Sequence, residues 1–307
     1  GKPNGIVYVN KDDKKEYKIN AKVVVLAASA CESARILLNS KSPYHENGLG
    51  NSSNMVGKYL HDSTGTNNLA FIPDLMNRKT YNEDGMGNMH LYSPWWLDNK
   101  NLDFPRGYHI EIYGGLGAPS YGTGFNFNSL NSFFGIEVGG YGDRVRDEVK
   151  KYYGSTIGFN TRGESVPNIN NYCEIDPEKK DKYGIPVLRF NYNWSDYERR
   201  QANHMNETVK EIVHNIGGHM LWENGGPDNG LLTPGEVIHE VGTTRMGSDP
   251  KTSVVNEYEQ LHDAKNVFIV DGGPFVSQAD KNPTWTIMAL SWRTSEFIID
   301  QLKKQNI

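Results

Sequence analysis

Cysteine is scarce in this chain. Cys31 and Cys173, two in 307 residues, stand far apart and outside any C-x-x-C spacing, which offers neither a disulfide framework nor a metal knuckle. Long apolar runs are missing as well: the longest, Val23 to Ala28, falls far short of the roughly 20 residues that a membrane-spanning helix needs. Positive charge is not in excess. With 32 basic and 37 acidic residues mixed along the chain, and a formal net charge of −5, no basic stripe is available to neutralise a phosphate backbone, and nucleic acid is not an expected partner. The chain opens on Gly1 with no Met, no charged n-region and no apolar h-region, so the natural start, with any targeting signal, is expected upstream.

Several motifs are also absent. No G-x-G-x-x-G follows a strand, and there is no G-x-x-x-x-G-K-[ST] or G-x-S-x-G, which disfavours a nicotinamide dehydrogenase with its own phosphate loop. The stretch from Gly114 to Gly124 is Gly-rich but sits in a strand context with no helix after it. His239-Glu240 begins an H-E-x-x-H zinc motif, but Thr243 stands where the second His is required, so no metal is expected. His214 and His219, around a Gly-Gly helix end, read as solvated surface residues.

What is present describes a globular protein long enough for about two domains, with 37% hydrophobic residues and 32 glycines for turns. Ile6 to Val9 and Glu16 to Asn20 read as two short strands joined by a charged turn. Lys22 leads into the continuous apolar run Val23 to Ala28, the pattern of a strand buried on both faces in a parallel sheet. Ser29 with Glu32 is a capping box that opens a helix through Ala34, Leu37 and Leu38. From His61 to Gly230, alternating runs such as Phe125 to Asn128 and Val187 to Tyr192 predict antiparallel sheet. One helix interrupts it, opened by Ser195 and Glu198, with Ala202, Met205, Val209, Ile212 and Ile216 on one face and Gly217-Gly218 closing it. The tail returns to the first style, with a strand over Asn266 to Val270, the turn Asp271-Gly272-Gly273, and a helix from Pro283 to about Lys304. The expected fold class is α/β plus α+β, with segments 1–60 and 231–307 in one domain and 61–230 in another.

The chemistry-bearing residues cluster near the C-terminus: Ile238 to Gly247, then Asp271-Gly272-Gly273, then Asn282 to Leu290. The first resembles the H-x-x-G-T-x-x-M-G element of the glucose–methanol–choline (GMC) oxidoreductases, and the others are similar to their D-G-S and N-P-x-x-T-I-x-A-L elements, in the same order. Val23 to Leu38, Val56 to Asp62 and Pro167 to Tyr192 resemble further segments of the family, and the tail is nearest in wording to its bacterial sugar and sugar-acid dehydrogenases. Four positions depart: Ser29 replaces the usual Gly, Gly273 the usual Ser, Tyr59 the usual Asn and Ser63 the usual His.

The resemblance implies the C-terminal part of an FAD-binding Rossmann-like domain, with an antiparallel-sheet substrate domain inserted. It further implies FAD as cofactor, oxidation of an alcohol group on a sugar or polyol, and an N-terminal FAD-binding segment that this chain lacks, with an electron acceptor as a possible partner. His239 suits a base, because an imidazole of ordinary pKa is largely neutral at pH 7. Asn282 can hold a substrate oxygen through its amide and, preceding Pro283, suits a helix N-cap. The helix start at Pro283 and Thr284 offers its positive end to a reduced flavin. Ala28, Asp271 and Gly272 are the remaining expected flavin contacts; Trp95-Trp96 reads first as packing, with stacking on a sugar ring as the alternative. The competing reading is a non-catalytic carbohydrate-binding or interaction fragment. Localisation stays open, the periplasm being implied only for a bacterial sugar dehydrogenase.

Overall fold

The computed structural model describes residues 2–78, 91–94, 101–114, 127–135, 137–138, 141–223 and 230–307. Trp95-Trp96, most of the Gly114 to Gly124 stretch and Phe125-Asn126 lie outside the described residues. In chain order the elements are β1 (Gly5–Val9), β2 (Glu16–Asn20), β3 (Val24–Leu26), α1 (Ala30–Asn39), β4 (Lys58–His61), β5 (Thr64–Phe71), β6 (Leu91–Pro94), β7 (Tyr108–Gly114), α2 (Phe127–Phe134), α3 (Asp143–Tyr152), β8 (Thr156–Gly163), β9 (Tyr172–Lys180), β10 (Pro186–Asn191), α4 (Asp196–Asn215), β11 (His219–Glu223), β12 (Val241–Thr243), β13 (Val267–Ile269) and α5 (Thr284–Lys303).

Two compact units emerge. One comprises residues 1–62, 165–193 and 238–307, the other 63–164 and 194–237. Residues 165–193, which the sequence reading assigns to the middle domain, group with the chain ends because β9 pairs with β4 and with β10.

In the first unit β1 and β2 form the hairpin expected from their charged turn, and β13 pairs in parallel with β3, Val267 to Ile269 against Val24 to Leu26. That pairing brings the two ends of the chain into one unit. β13 is buried throughout, as its apolar run requires, whereas β3 is shorter than predicted and leaves Val25 49% exposed, so it is not buried on both faces. The core is built from Ala34, Leu37 and Leu38 of α1 with Val56, Leu60, Cys173, Val255, Leu261 and Ile269. A four-stranded antiparallel sheet, in the order β10, β9, β4, β12, carries the segment that leads out of His239.

The second unit is a five-stranded antiparallel sheet in the order β11, β5, β8, β7, β6. Its apolar face, including Ala70, Tyr108, Ile110 and Phe159, packs against Met205, Val209 and Val213 of α4. The α4 capping box is complete, with the Ser195 side chain accepting from the first turn and Glu198 reaching back to the Ser195 N–H. Ile216, expected on the buried face, is 45% exposed because it is the last residue before the turn at Gly217. The strand expected over Phe125 to Asn128 is corrected in its described half: Phe127 and Asn128 open α2, whose Leu130 is fully buried with Phe71, Val138 and Tyr152. The alternation F-N-F-N thus misled by its shortness, since four residues do not separate period 2 from the start of an amphipathic helix. α3 was not anticipated either, being mostly charged with only Tyr152 buried.

Candidate active site

His239 lies just before β12, and Asn282 just before α5; the first unit brings their side chains together, Asn282 Nδ2 standing 3.2 Å from His239 Nε2. An amide nitrogen can only donate, so this contact is a hydrogen bond in the tautomer whose lone pair is on Nε2, the form a base requires. Asn282 is exposed and His239 half-buried, so the shared edge of the pair opens outward.

Why His239 stands there is a matter of its backbone. Its N–H donates to Asp62 Oδ1 at 3.0 Å, and Asp62 is fully buried, its own N–H donating to the Tyr192 hydroxyl at 2.9 Å. The preceding Ile238 is held at φ 59 with its side chain 76% exposed, a conformation uncommon for a β-branched residue. Asp62 is a positioning residue that closes the Val56 to Asp62 segment, where the motif assigned it no role; its signal in the sequence is the acid that directly follows β4.

Asn282 is not the N-cap. α5 begins at Thr284, Pro283 occupies the cap position with helical φ and ψ, and no side chain caps the helix. The ring of Pro283 already sets the helical φ, so the boundary falls one residue later than predicted. The Asn282 amide is thereby freed from the helix and turned to the histidine. Thr284, Trp285 and Thr286 are exposed, and the first N–H groups of α5 have no intrahelical acceptor.

Asp271 sits apart from that pair, in the turn after β13. Its carboxylate is buried, Oδ2 accepting from the Ser33 hydroxyl at 2.5 Å and Oδ1 from the Gly273 N–H at 2.8 Å. The N–H groups of Ala28 and Ser29 also face it, and the Ala28 N–H donates to Ser33 Oγ at 3.3 Å. Burial raises the Asp271 pKa, opposed by these hydrogen bonds. Ala28 and Asp271 therefore meet, as expected of two flavin contacts, but the aspartate is engaged by this chain's own groups at the N-terminus of α1.

Gly272 is the next link: its carbonyl accepts the Gly242 N–H at 3.0 Å, fastening the turn to β12. Thr243, buried at φ 57, donates its hydroxyl to the Ala30 carbonyl at 2.6 Å. Thr243 is the Thr of the H-x-x-G-T-x-x-M-G element, whereas Ser33 and Thr244 are site-building residues that the sequence analysis did not name. No group of His, Cys, Asp and Glu able to hold a metal occurs among the described residues. A groove between the β1–β2 hairpin and α1, lined by Ile6, Val24, Leu37 and Val267, includes neither His239 nor Asn282.

Comparison with known proteins agrees with this architecture. Residues 167–291 match the family model of GMC oxidoreductase. The chain is 31% identical over 299 residues to a 2-methyl-1,2-propanediol dehydrogenase of Mycolicibacterium austroafricanum, covering 97% of this chain and 51% of that protein. It is 24% identical to the fructose dehydrogenase large subunit of Gluconobacter japonicus, covering 98% and 54%. Among solved structures, a formate oxidase from Aspergillus oryzae superposes with a TM-score of 0.63 at 14% identity, over 98% of this chain and 58% of that one, a likeness of fold. The chain spans about half the length of these relatives. Through the segment that holds His239, Asp271 and Asn282, it carries the C-terminal domain of the GMC oxidoreductases.

Proposed function

We propose that the whole protein oxidises an alcohol group, with FAD as the hydride acceptor, and that the substrate is a sugar or polyol. The observation that carries this reading is the 3.2 Å approach of Asn282 Nδ2 to His239 Nε2. At such a site His239 takes the hydroxyl proton on Nε2. Asn282 holds the substrate oxygen as negative charge develops on it, through an amide fixed outside the helix. FAD, when bound, supplies the two-electron acceptor for the carbon-bound hydride.

The residues present fit that group. The uncapped first turn of α5, with Thr284, Trp285 and Thr286 exposed after Pro283, offers backbone N–H groups to an anionic ring. Ala28 stands beside the turn of Asp271, Gly272 and Gly273, where Thr244 Oγ1 is buried without a partner among the described residues. The relatives' names, a diol dehydrogenase and a fructose dehydrogenase, support the substrate class. Trp285, Met288 and Trp292 of α5, 86%, 65% and 72% exposed, support a further segment packing there, which in our reading is the N-terminal FAD-binding part.

The test is made on the full-length protein. His239→Ala and Asn282→Ala are expected to keep the flavin absorbance while the rate of flavin reduction by sugar or polyol falls, roughly 10²–10⁴-fold for the base and about 10²–10³-fold for the oxygen donor. Unchanged reduction in both variants removes the site assignment. A colourless wild-type protein indifferent to added FAD removes the enzyme reading and favours a carbohydrate-binding fragment.

A further inference from the structure

Cys31 and Cys173, remote in sequence, meet where α1 packs on β9. Cys31 lies in the first turn of α1 and is partly exposed; Cys173 is 1% exposed within the core of the first unit, and Cys31 packs against that same core. The two thiols stand within hydrogen-bonding reach of each other, and both are free. That hydrogen bond, and then burial, push the Cys173 thiol up, so it stays protonated, and Cys31 is the sulfur a small oxidant can reach.

We propose that Cys31 and Cys173 form a peroxide-sensitive dithiol that closes to an intramolecular disulfide. The Cys31 thiolate attacks one oxygen of hydrogen peroxide; the O–O bond breaks, hydroxide leaves and is protonated to water, and Cys31 becomes a sulfenic acid. The Cys173 sulfur then attacks the sulfenyl sulfur. The S–O bond breaks, and a second water leaves carrying the Cys173 proton. Two thiols are oxidised by two electrons and one peroxide is reduced to two waters. The disulfide ties the start of α1 to β9 beside two hydrogen bonds of the first unit: the carbonyl of Ala30, next to Cys31, accepts from the Thr243 hydroxyl, and the Cys173 N–H donates to the Gly57 carbonyl at 2.9 Å. This inference is independent of the proposed function.

The experiment treats the full chain with hydrogen peroxide, blocks the remaining thiols under denaturing conditions and maps the peptides by mass spectrometry. A cross-linked peptide pair containing Cys31 and Cys173, about two mass units lighter than the two thiol peptides and restored to them by reductant, is expected. Cys173→Ser should leave Cys31 as a sulfenic acid trapped by dimedone, and Cys31→Ser should leave Cys173 unmodified. Recovery of both cysteines as blocked thiols after peroxide overturns the proposal, as does cross-linking only between molecules. The wild-type map decides the matter even if the Cys173 variant does not fold.

Discussion

At residue 29 the backbone takes φ 81 and ψ 160, a region essentially reserved for glycine, and the residue there is Ser. Its hydroxyl accepts the Glu32 N–H at only 3.4 Å, and Glu32 turns to Arg35 instead of completing the expected capping box. Ser29→Gly should therefore stabilise the protein by about 1 kcal/mol, since the relief of backbone strain, about 1–3 kcal/mol, exceeds the few tenths lost with the cap. Equilibrium denaturation measures it; a destabilised Ser29→Gly contradicts the strain. Tyr59 repeats the pattern, with φ 58 where the related proteins' motif has Asn, a residue that tolerates this region better. Gly273 is the reverse case. A Cβ there would meet Thr244 Oγ1 at 2.2 Å and Asp271 Oδ1 at 2.9 Å, so Gly273→Ala should cost about 1–3 kcal/mol, largely recovered when combined with Thr244→Ala. A double-mutant cycle with no coupling between these two positions would place the strain elsewhere. The departures from the motif were visible in the sequence; the backbone angles and close approaches that give them meaning were not, because they are set by residues distant along the chain.

Elements whose ends carry their own chemistry were legible. α4 starts at Ser195 and Glu198 because each satisfies the other's backbone N–H, a signal within four residues. Ser195→Ala should lower stability by about 1 kcal/mol, read as a shift in denaturation midpoint without a change in slope. The hairpin of β1 and β2 and the parallel strand β13 followed likewise from local pattern. α2 and α3 did not. Four residues of alternation run into the start of α2, and α3 has a charged surface with a single buried residue, so neither shows an apolar stripe long enough to set a period. α5 shows the limit of cap rules: Pro283 supplies the helical φ by itself, leaving Asn282 for other work.

For the whole molecule, the buried carboxyl of Glu259 gives a pH signature. Burial pushes its pKa up to about 7 from 4.5, with the charge of Asp271 adding to the rise and the Thr294 hydroxyl and Arg293 opposing it. The native state thus holds a proton that the unfolded chain releases near 4.5, so this contribution is fully present below about 4.5 and is lost as pH rises towards about 7. Glu259→Gln should flatten the decline of stability across that window; an identical slope in the variant refutes the assignment. Asp271, also raised by burial, acts in the same direction. The sequence by itself determined the alternation of α/β and β segments and the two residues of the candidate site, His239 and Asn282. Each sits in a short motif that also marks an element boundary, and such signals survive without tertiary contacts. Only the tertiary structure decided that residues 165–193 join the chain ends, that Asp62 holds the His239 backbone, that Asp271 spends its hydrogen bonds on α1, and that Cys31 meets Cys173. Those facts depend on strand pairing and packing between segments remote in sequence, and no local periodicity encodes which remote partner a strand edge or a buried carboxylate will find.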